Sequence, residues 1–549
     1  MKIRVQLLIP LTLVFLVGGL LGIGVGWIHD DTTEQLRKLE EAFLIITRHY
    51  VEDVDPADLA ETAIDAMLSS LDPHSSYINA EAFTEVAESY RGAFGGIGIW
   101  FEIPDRDTAQ VVSPIEGGPS EAAGLRAGDR IIAVDDTSVV GADDDEVKRR
   151  LKGPVGTTVQ VTLKRLGLPN PFTVTITRDL IPLYSVTSHY MVDKSTGYVK
   201  ISRFAQSTYQ EFVEAVAELK GLGMKRLLLD LRDNPGGIMG VAVAIVDELL
   251  AGDGLIVYTE GRSTPQELFR AGREGIFETQ PIMVLVNRNS VSASEIVAGA
   301  LQDHDRALIV GQRTYGKGLV QNQFPLPDES RLQMTTARYF TPSRRLIQTP
   351  YEEGHREEYL EIKYESMVKA MRDPARYAES IPDSLKHTTT HGRTVFGGGG
   401  ILPDYTIYGD TAMVPLMVAM YDGALFLSFR SWFEQNEQML RSSWEDRFEI
   451  FMADFKFQDD YWDGFWLSAS KAELPILIVK ELPDPASLRF SATDLDVGRE
   501  TLELYFKALL ARQLYGARAA YPLFNRVDPA FMESLSLWEQ AHELALLRQ

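Results

Sequence analysis

Apolar positions along the chain change their spacing several times, and each change marks a different architecture. From Val5 to Ile28 no charged residue interrupts an apolar run. A helix over that stretch rises roughly 36 Å, enough to span a bilayer. Leu36, Leu39, Phe43, Ile46 and Tyr50 then recur at helical spacing, and a second helical pattern runs until Asp72-Pro73 stops it. His74 lies in that stop and reads as a loop histidine, with no second ligand at metal spacing. Residues 83–168 switch to short β-type runs (GGIGIWFEI, TAQVVSPI, DRIIAVDD, TTVQVTLKR) between Gly and Asp turns.

From residue 180 the pattern enlarges. MKRLLLDLR, QPIMVLVN and RALIVGQ are continuous apolar strands that alternate with helical stretches such as STYQEFVEAVAELKGLG and IMGVAVAIVDELLAG. Such alternation predicts a parallel or mixed sheet covered on both faces. Residues 351–395 are charged, polar and partly helical, and FGGGGILPDYTI then resumes a turn and a strand. That places an insertion in the domain. Residues 410–549 read mainly as helices, with Trp432, Trp444, Trp462, Trp466 and Trp538 among the chain's seven tryptophans. An aromatic content of this kind predicts an ordered accessory domain rather than a disordered extension.

Composition narrows the function. The 549 residues are 45% hydrophobic and 24% charged, as expected for globular domains. A formal net charge of −24 argues against nucleic acid as the main partner. There is no cysteine, so neither disulfides nor thiolate chemistry enter. Lys2 and Arg4 precede the first apolar run, and Asp30, Asp31 and Glu34 follow it. The positive-inside rule then predicts a retained signal anchor with the bulk of the protein outside the cytoplasm. A cleaved signal fits less well, because the run is long and no A-x-A site follows.

Three loops of the α/β region fall at the carboxyl ends of strands, where ligands bind in such sheets. DLRDNPGG (230–237) carries Gly236 and Gly237, whose amides suit an oxyanion hole as well as a tight turn. NRNSVSAS (287–294) opens a helix; Ser292 and Glu295 have capping-box spacing, and Ser292 also has the exposed position of a nucleophile beside the Ala293 amide. GQRTYGKG (311–318) carries Lys317 between two glycines and beside apolar Tyr315, Leu319 and Val320, a setting in which a desolvated lysine acts as a base. A Ser-His-Asp arrangement competes poorly. No G-x-S-x-G is present, and His304, near these loops in sequence, falls at the far end of the serine helix. No H-E-x-x-H occurs, so neither a metal site nor any cofactor is expected.

The stretch SPIEGGPSEAAGLRAGDRIIAVDD resembles the core of a PDZ domain. In such a domain Gly95, Gly96, Ile97, Gly98 and Ile99 would take a peptide carboxylate and pair with the peptide strand. Together with LDPHSSYI, DLRDNPGG, SVSASEIVAGALQD, TYGKGLVQ, TARYFTPS and GGGGILPD, it gives the chain a resemblance to the C-terminal processing peptidases, or tail-specific proteases, of the PDZ-containing S41 class. The motifs occur in family order over about two thirds of the chain. Val291 and Tyr315 are mild departures from the usual Ala and Phe.

The residue patterns and the resemblance together predict a multidomain α/β protein. Its parts are a signal anchor (1–29), an N-terminal helical region (30–82), a PDZ domain (83–168), a mixed α/β, crotonase-like protease core (180–409, with the insertion 351–395) and a helical C-terminal domain (410–549), the insertion and the helical domain lying outside the family's common core. The resemblance implies Ser292 as nucleophile, Lys317 as base, Gln321 assisting and Asp303 in support, with oxyanion donors on Ala293 and on Gly236 or Gly237. The expected activity is endopeptidase cleavage near protein C-termini in the cell envelope, from a single-pass inner-membrane protein with its bulk in the periplasm. The expected partners are substrate tails, an adaptor or regulator at the PDZ domain, the membrane and further copies of the chain. The competing expectation is an inert, membrane-anchored PDZ scaffold.

Overall fold

The computed structural model describes residues 32–103, 107–115, 117–165, 167–407, 424–462, 464–465 and 492–547. The anchor expected over residues 1–29 lies outside them. Among the described residues no helix is long and apolar enough to cross a membrane.

A six-stranded sheet forms the centre of the α/β region. Its strands lie side by side in chain order: β1 (Val186–Met191), β2 (Thr196–Ile201), β3 (Arg226–Asp230), β4 (Ile282–Val286), β5 (Leu308–Gly311) and β6 (Tyr405–Thr406). β1 and β2 are antiparallel; every later pair is parallel. Parallel neighbours need long crossovers. Helices α1 (Thr208–Gly221), α2 (Met239–Asp247) and α3 (Ala293–Asp303) lie in the three that follow β2, β3 and β4.

Successive side chains of a strand face opposite ways. Leu227, Leu229, Ile282, Val284 and Val286 therefore join the three helices in one core. Leu228, Met283, Leu285, Leu308 and Val310 face the other side. This double burial is why the strands read as unbroken apolar runs.

The insertion folds as helix α4 (Arg356–Arg372), a short helix Pro374–Ser380 and a hairpin of Lys386–Thr388 with Thr394–Phe396. Beyond it the chain divides. Helices α5 (Ala424–Trp444) and α6 (Ala492–Tyr515) contribute to an aromatic core of their own around Phe429, Phe451, Trp462 and Phe506. The last segment does not belong to that core. Phe531, Leu537 and helix α7 (Trp538–Leu546) cover the second face of the central sheet through Trp538, Ala541 and Leu544. Arg232 pairs with Asp528, and the Arg226 guanidinium lies 4.7 Å from the centre of the Trp538 ring. Among its described residues the 410–549 stretch thus contributes to two cores, one of which completes the sheet.

A second sheet runs Ser76–Ile78, Arg331–Phe340, Leu255–Glu260, Glu267–Arg270, with Leu319–Pro325 also along Arg331–Phe340. Ser76 and Gln323 both register with Gln333, so the LDPHSSYI and TYGKGLVQ segments meet there.

The module expected over 83–168 is a sheet of Ile99–Glu102, Ala109–Pro114, Arg130–Val134, Thr158–Lys164 and Phe172–Thr177. Helix Asp144–Leu151 packs on it through Val147 and Leu151. Its last strand carries the module past residue 168. Two polar contacts tie it to α5: Glu102 with Arg430 at 2.9 Å, and Gln110 with Glu434 at 2.7 Å.

Candidate active site

The three serines of SVSAS separate by what they touch. Ser290 Oγ donates to the Leu231 carbonyl at 2.8 Å and accepts the Asn287 amide at 3.0 Å. Ser294 Oγ donates to the Asn234 carbonyl at 3.0 Å. Both staple the start of α3 to the 230–237 loop, and both are fully buried. Ser292 stands at the N-cap with φ 54° and ψ −109°, outside the regions a side chain ordinarily allows. Strain of this kind persists only where the surroundings over-determine it.

Two groups impose it. The buried Glu295 carboxylate accepts the Ser292 amide at 2.8 Å, completing the capping relation expected from the sequence. The same carboxylate accepts the Lys317 amide at 3.0 Å, the Gly316 amide at 2.7 Å and the Thr314 hydroxyl at 2.6 Å. Burial pushes its proton affinity up against these four donors. The Tyr339 hydroxyl lies 3.2 Å from the Ser292 carbonyl and 2.7 Å from that of Lys317. The loop of Ser292 and the loop of Lys317 are thereby fixed to the same two side chains.

The glycine pair closes on Ser292 from the other side. Gly236 has φ 97°, and a Cβ there would lie 2.9 Å from the Ser292 Cβ and 2.8 Å from the Val291 carbonyl oxygen. Its amide donates to Asn234 Oδ1 at 2.9 Å. Gly237, at φ 139°, passes against the Phe204 backbone. The bridge there uses the Gly236 carbonyl and the Ile238 amide, on either side of Gly237. The Ala293 amide sits at the first position of α3, where helical geometry supplies no partner.

Lys317 is mostly buried, and desolvation lowers its proton affinity against the raising influence of Glu295 and Asp72. Its Nζ donates to Gln321 Oε1 at 2.7 Å. Gln321 in turn donates from Nε2 to the His74 carbonyl. The structure therefore brings the backbones of Ser292, Ala293, Gly236, Gly237 and Lys317 together, with the Lys317 amine directed to Gln321. Asp303 stands apart at the far end of α3, in a buried ion pair with Arg345 at 2.6 Å, and accepts the Ser343 amide at 2.9 Å.

His74, expected as a loop histidine, is instead part of the site's surroundings, and no site role was expected for Asp72 or Tyr339. His74 packs between Tyr315 and Tyr359, and burial followed by the nearby Lys317 lowers it to about 4. Asp72 fixes its loop by accepting the His74 and Ser75 amides at 2.8 and 2.9 Å. LDPHSSYI, TARYFTPS and SVSASEIVAGALQD marked the segments of His74, Tyr339 and Glu295, but not that Tyr339 and Glu295 would bridge the Ser292 and Lys317 loops.

In the smaller module the five peptide-site candidates separate. Gly95 and Gly96 lie in a strand paired with Asp179–Pro182. Ile97 is buried in the module's core. Gly98 turns the chain at φ 74°, and Ile99 opens the end strand of the sheet, on which Trp100 is half exposed.

Comparison with known proteins places these features. The description "Peptidase family S41" matches residues 195–353, "PDZ domain" residues 110–165 and "Activating protease CtpB N-terminal domain" residues 27–82. The carboxy-terminal-processing protease of Bartonella bacilliformis is 39% identical over 324 residues, 58% of this chain and 74% of that one. The carboxy-terminal processing protease CtpA of Bacillus subtilis is 35% identical over 305 residues, 55% of this chain and 65% of that one. Among solved structures, the photosystem II D1 C-terminal processing protease is 33% identical, covering 57% of this chain and 83% of that one with a TM-score of 0.34.

Proposed function

The chain belongs to the carboxy-terminal-processing serine proteases of family S41, and from that premise we propose that Ser292 and Lys317 form the dyad of an endopeptidase acting near protein C-termini. The observation that carries this is the shared anchoring of both loops by Glu295, with the Lys317 amine buried and held by Gln321. Neutral Lys317 takes the Ser292 hydroxyl proton as Oγ attacks the scissile carbonyl carbon. The displaced electron pair settles on the carbonyl oxygen, held by the Ala293 and Gly237 amides. Gly237 is chosen over Gly236 because the Gly236 amide is already given to Asn234. Collapse breaks the C–N bond, and Lys317 returns its proton to the leaving amine. Water then attacks the acyl-enzyme, losing its proton to Lys317, and the second collapse breaks the C–Oγ ester bond as Lys317 returns that proton to Ser292.

The PDZ module, in this reading, adds a substrate or adaptor tail to the strand Ile99–Glu102 and delivers the chain to the crevice. Residues 5–28 anchor the protein in the inner membrane with its bulk outside the cytoplasm. Digestion of an unfolded, tailed protein by the chain from about residue 30 tests the activity. Ser292→Ala and Lys317→Ala should each abolish cleavage while keeping the fold. Turnover by either variant would contradict the dyad, whereas a wild-type chain that cleaves nothing would support the scaffold reading.

A further inference from the structure

Helix α4 belongs to the insertion, yet it reaches the site. Tyr359, Lys363, Ser366 and Ala370 follow one another at helical spacing along one face. Tyr359 and Ala370 are buried there. Ser366 Oγ meets the guanidinium of Arg313 at 2.5 Å. Lys363 thus occupies a position where an apolar residue would pack without penalty. Its ammonium group lies on the face of Tyr315 and 5.6 Å from the centre of the Tyr359 ring. Among the described residues no hydrogen-bond acceptor meets it.

Both aromatic partners lead to the crevice. Tyr315 is two residues from Lys317. The Tyr359 ring meets the His74 ring edge-on at 5.7 Å, and its hydroxyl lies 3.4 Å from His74 Nε2. The His74 carbonyl holds Gln321, and Gln321 holds the Lys317 amine. We propose that Tyr359 and Lys363 are positioning residues for this protease, clamping Tyr315 and His74 so that Gln321 keeps Lys317 aligned and dry. The proposal rests on the Ser292–Lys317 reading.

Burial lowers Lys363 to about 7, with Glu295 raising it and Arg313 lowering it further. Because its folded value lies below the ordinary 10.5, the unfolded chain binds the proton more readily. Stability contributed at high pH is therefore lost as the pH falls from about 10.5 towards 7. At neutral pH Lys363 weakens the fold, as a residue retained for activity does. The charged groups facing the two lysines are Glu295, Asp72, Arg313 and, toward His74, Arg356.

The test compares Lys363→Met, Tyr359→Ala, Tyr359→Phe and Lys317→Ala in the same chain, with kcat, KM, the pH profile of kcat/KM and thermal unfolding as readouts. Lys363→Met and Tyr359→Ala should lower kcat roughly ten- to hundredfold while KM stays within about twofold. The rising limb of kcat/KM should move to higher pH, because water reaching Lys317 restores its ordinary proton affinity. Tyr359→Phe should keep the wild-type rate, since the ring makes the clamp. Lys363→Met should unfold at the same or a higher temperature at pH 7, which a purely structural lysine would not do. Unchanged kcat and pH profile in Lys363→Met and Tyr359→Ala, beside an inactive Lys317→Ala, would overturn this inference alone. A loss of kcat in Lys363→Met matched by a lower unfolding temperature would overturn it too. Activity in Lys317→Ala would instead remove the dyad.

Discussion

Glu295 accepts the main-chain amide of Lys317 at 3.0 Å from a position 22 residues earlier in the chain. The same carboxylate takes the Ser292 amide, so one buried side chain sets the spacing of the two loops. A glutamine has one acceptor oxygen where the carboxylate has two. Glu295→Gln should therefore strand at least one of its four donors, at a cost of about 2–4 kcal/mol. Turnover should fall by more than the loss of folded protein explains. Denaturant unfolding and turnover on the same sample check this; wild-type activity in a destabilised variant would show that the anchor serves the fold alone.

The serines of SVSAS should respond differently to removal. Ser290→Ala and Ser294→Ala each break buried staples to the 230–237 loop and should cost about 1–3 kcal/mol. Both should retain cleavage. Ser292→Ala should melt near the wild-type temperature and cleave nothing.

Acid should weaken the fold through His74. Its folded value, about 4, lies below the ordinary 6.5, so the unfolded state binds the extra proton. The stability is full above about pH 6.5 and falls as the pH drops towards 4, by at most about 3 kcal/mol. His74→Gln should flatten that slope in denaturant titrations between pH 4 and 7. A slope unchanged by the substitution would assign the acid sensitivity to other groups.

The pH dependence of catalysis follows from Lys317. A base must be neutral, and burial lowers its proton affinity. The rise of kcat/KM with pH should therefore be centred below the ordinary lysine value of 10.5. Steady-state rates from pH 6 to 10 on a tailed substrate would locate it.

Removing the end of the chain should damage the protease core. Deleting residues 529–549 uncovers Tyr198, Leu228, Met283 and Leu285 on the central sheet. The truncated chain should aggregate, and Trp538→Ala should cost about 3–5 kcal/mol. A soluble, active truncation would contradict the packing of α7 on the sheet.

That last helix shows where reading the sequence stops. Apolar runs such as IMVLV announced buried strands, because both faces of each strand are covered. The loops of Ser292, Lys317 and the glycine pair were legible because strand ends gather ligands and because their motifs are specific. Nothing near Trp538 says that it packs on Arg226 and the strands far upstream rather than on the aromatic helices before it. His74 is similar. It reaches the crevice only because Ser76–Ile78 pairs with Arg331–Phe340, a register set by tertiary contacts. Lys363 looked like one charge among many on a polar helix, and its inward face appears only once Tyr315 and Tyr359 are in place.

The dyad itself is tested most directly by mapping a serine-reactive phosphonate with peptide mass spectrometry and following its rate of attachment. A single adduct on Ser292 is expected, with attachment at least about a hundredfold slower in Lys317→Ala. An adduct on Ser290 or Ser294, or a rate unchanged by Lys317→Ala, would contradict the assignment.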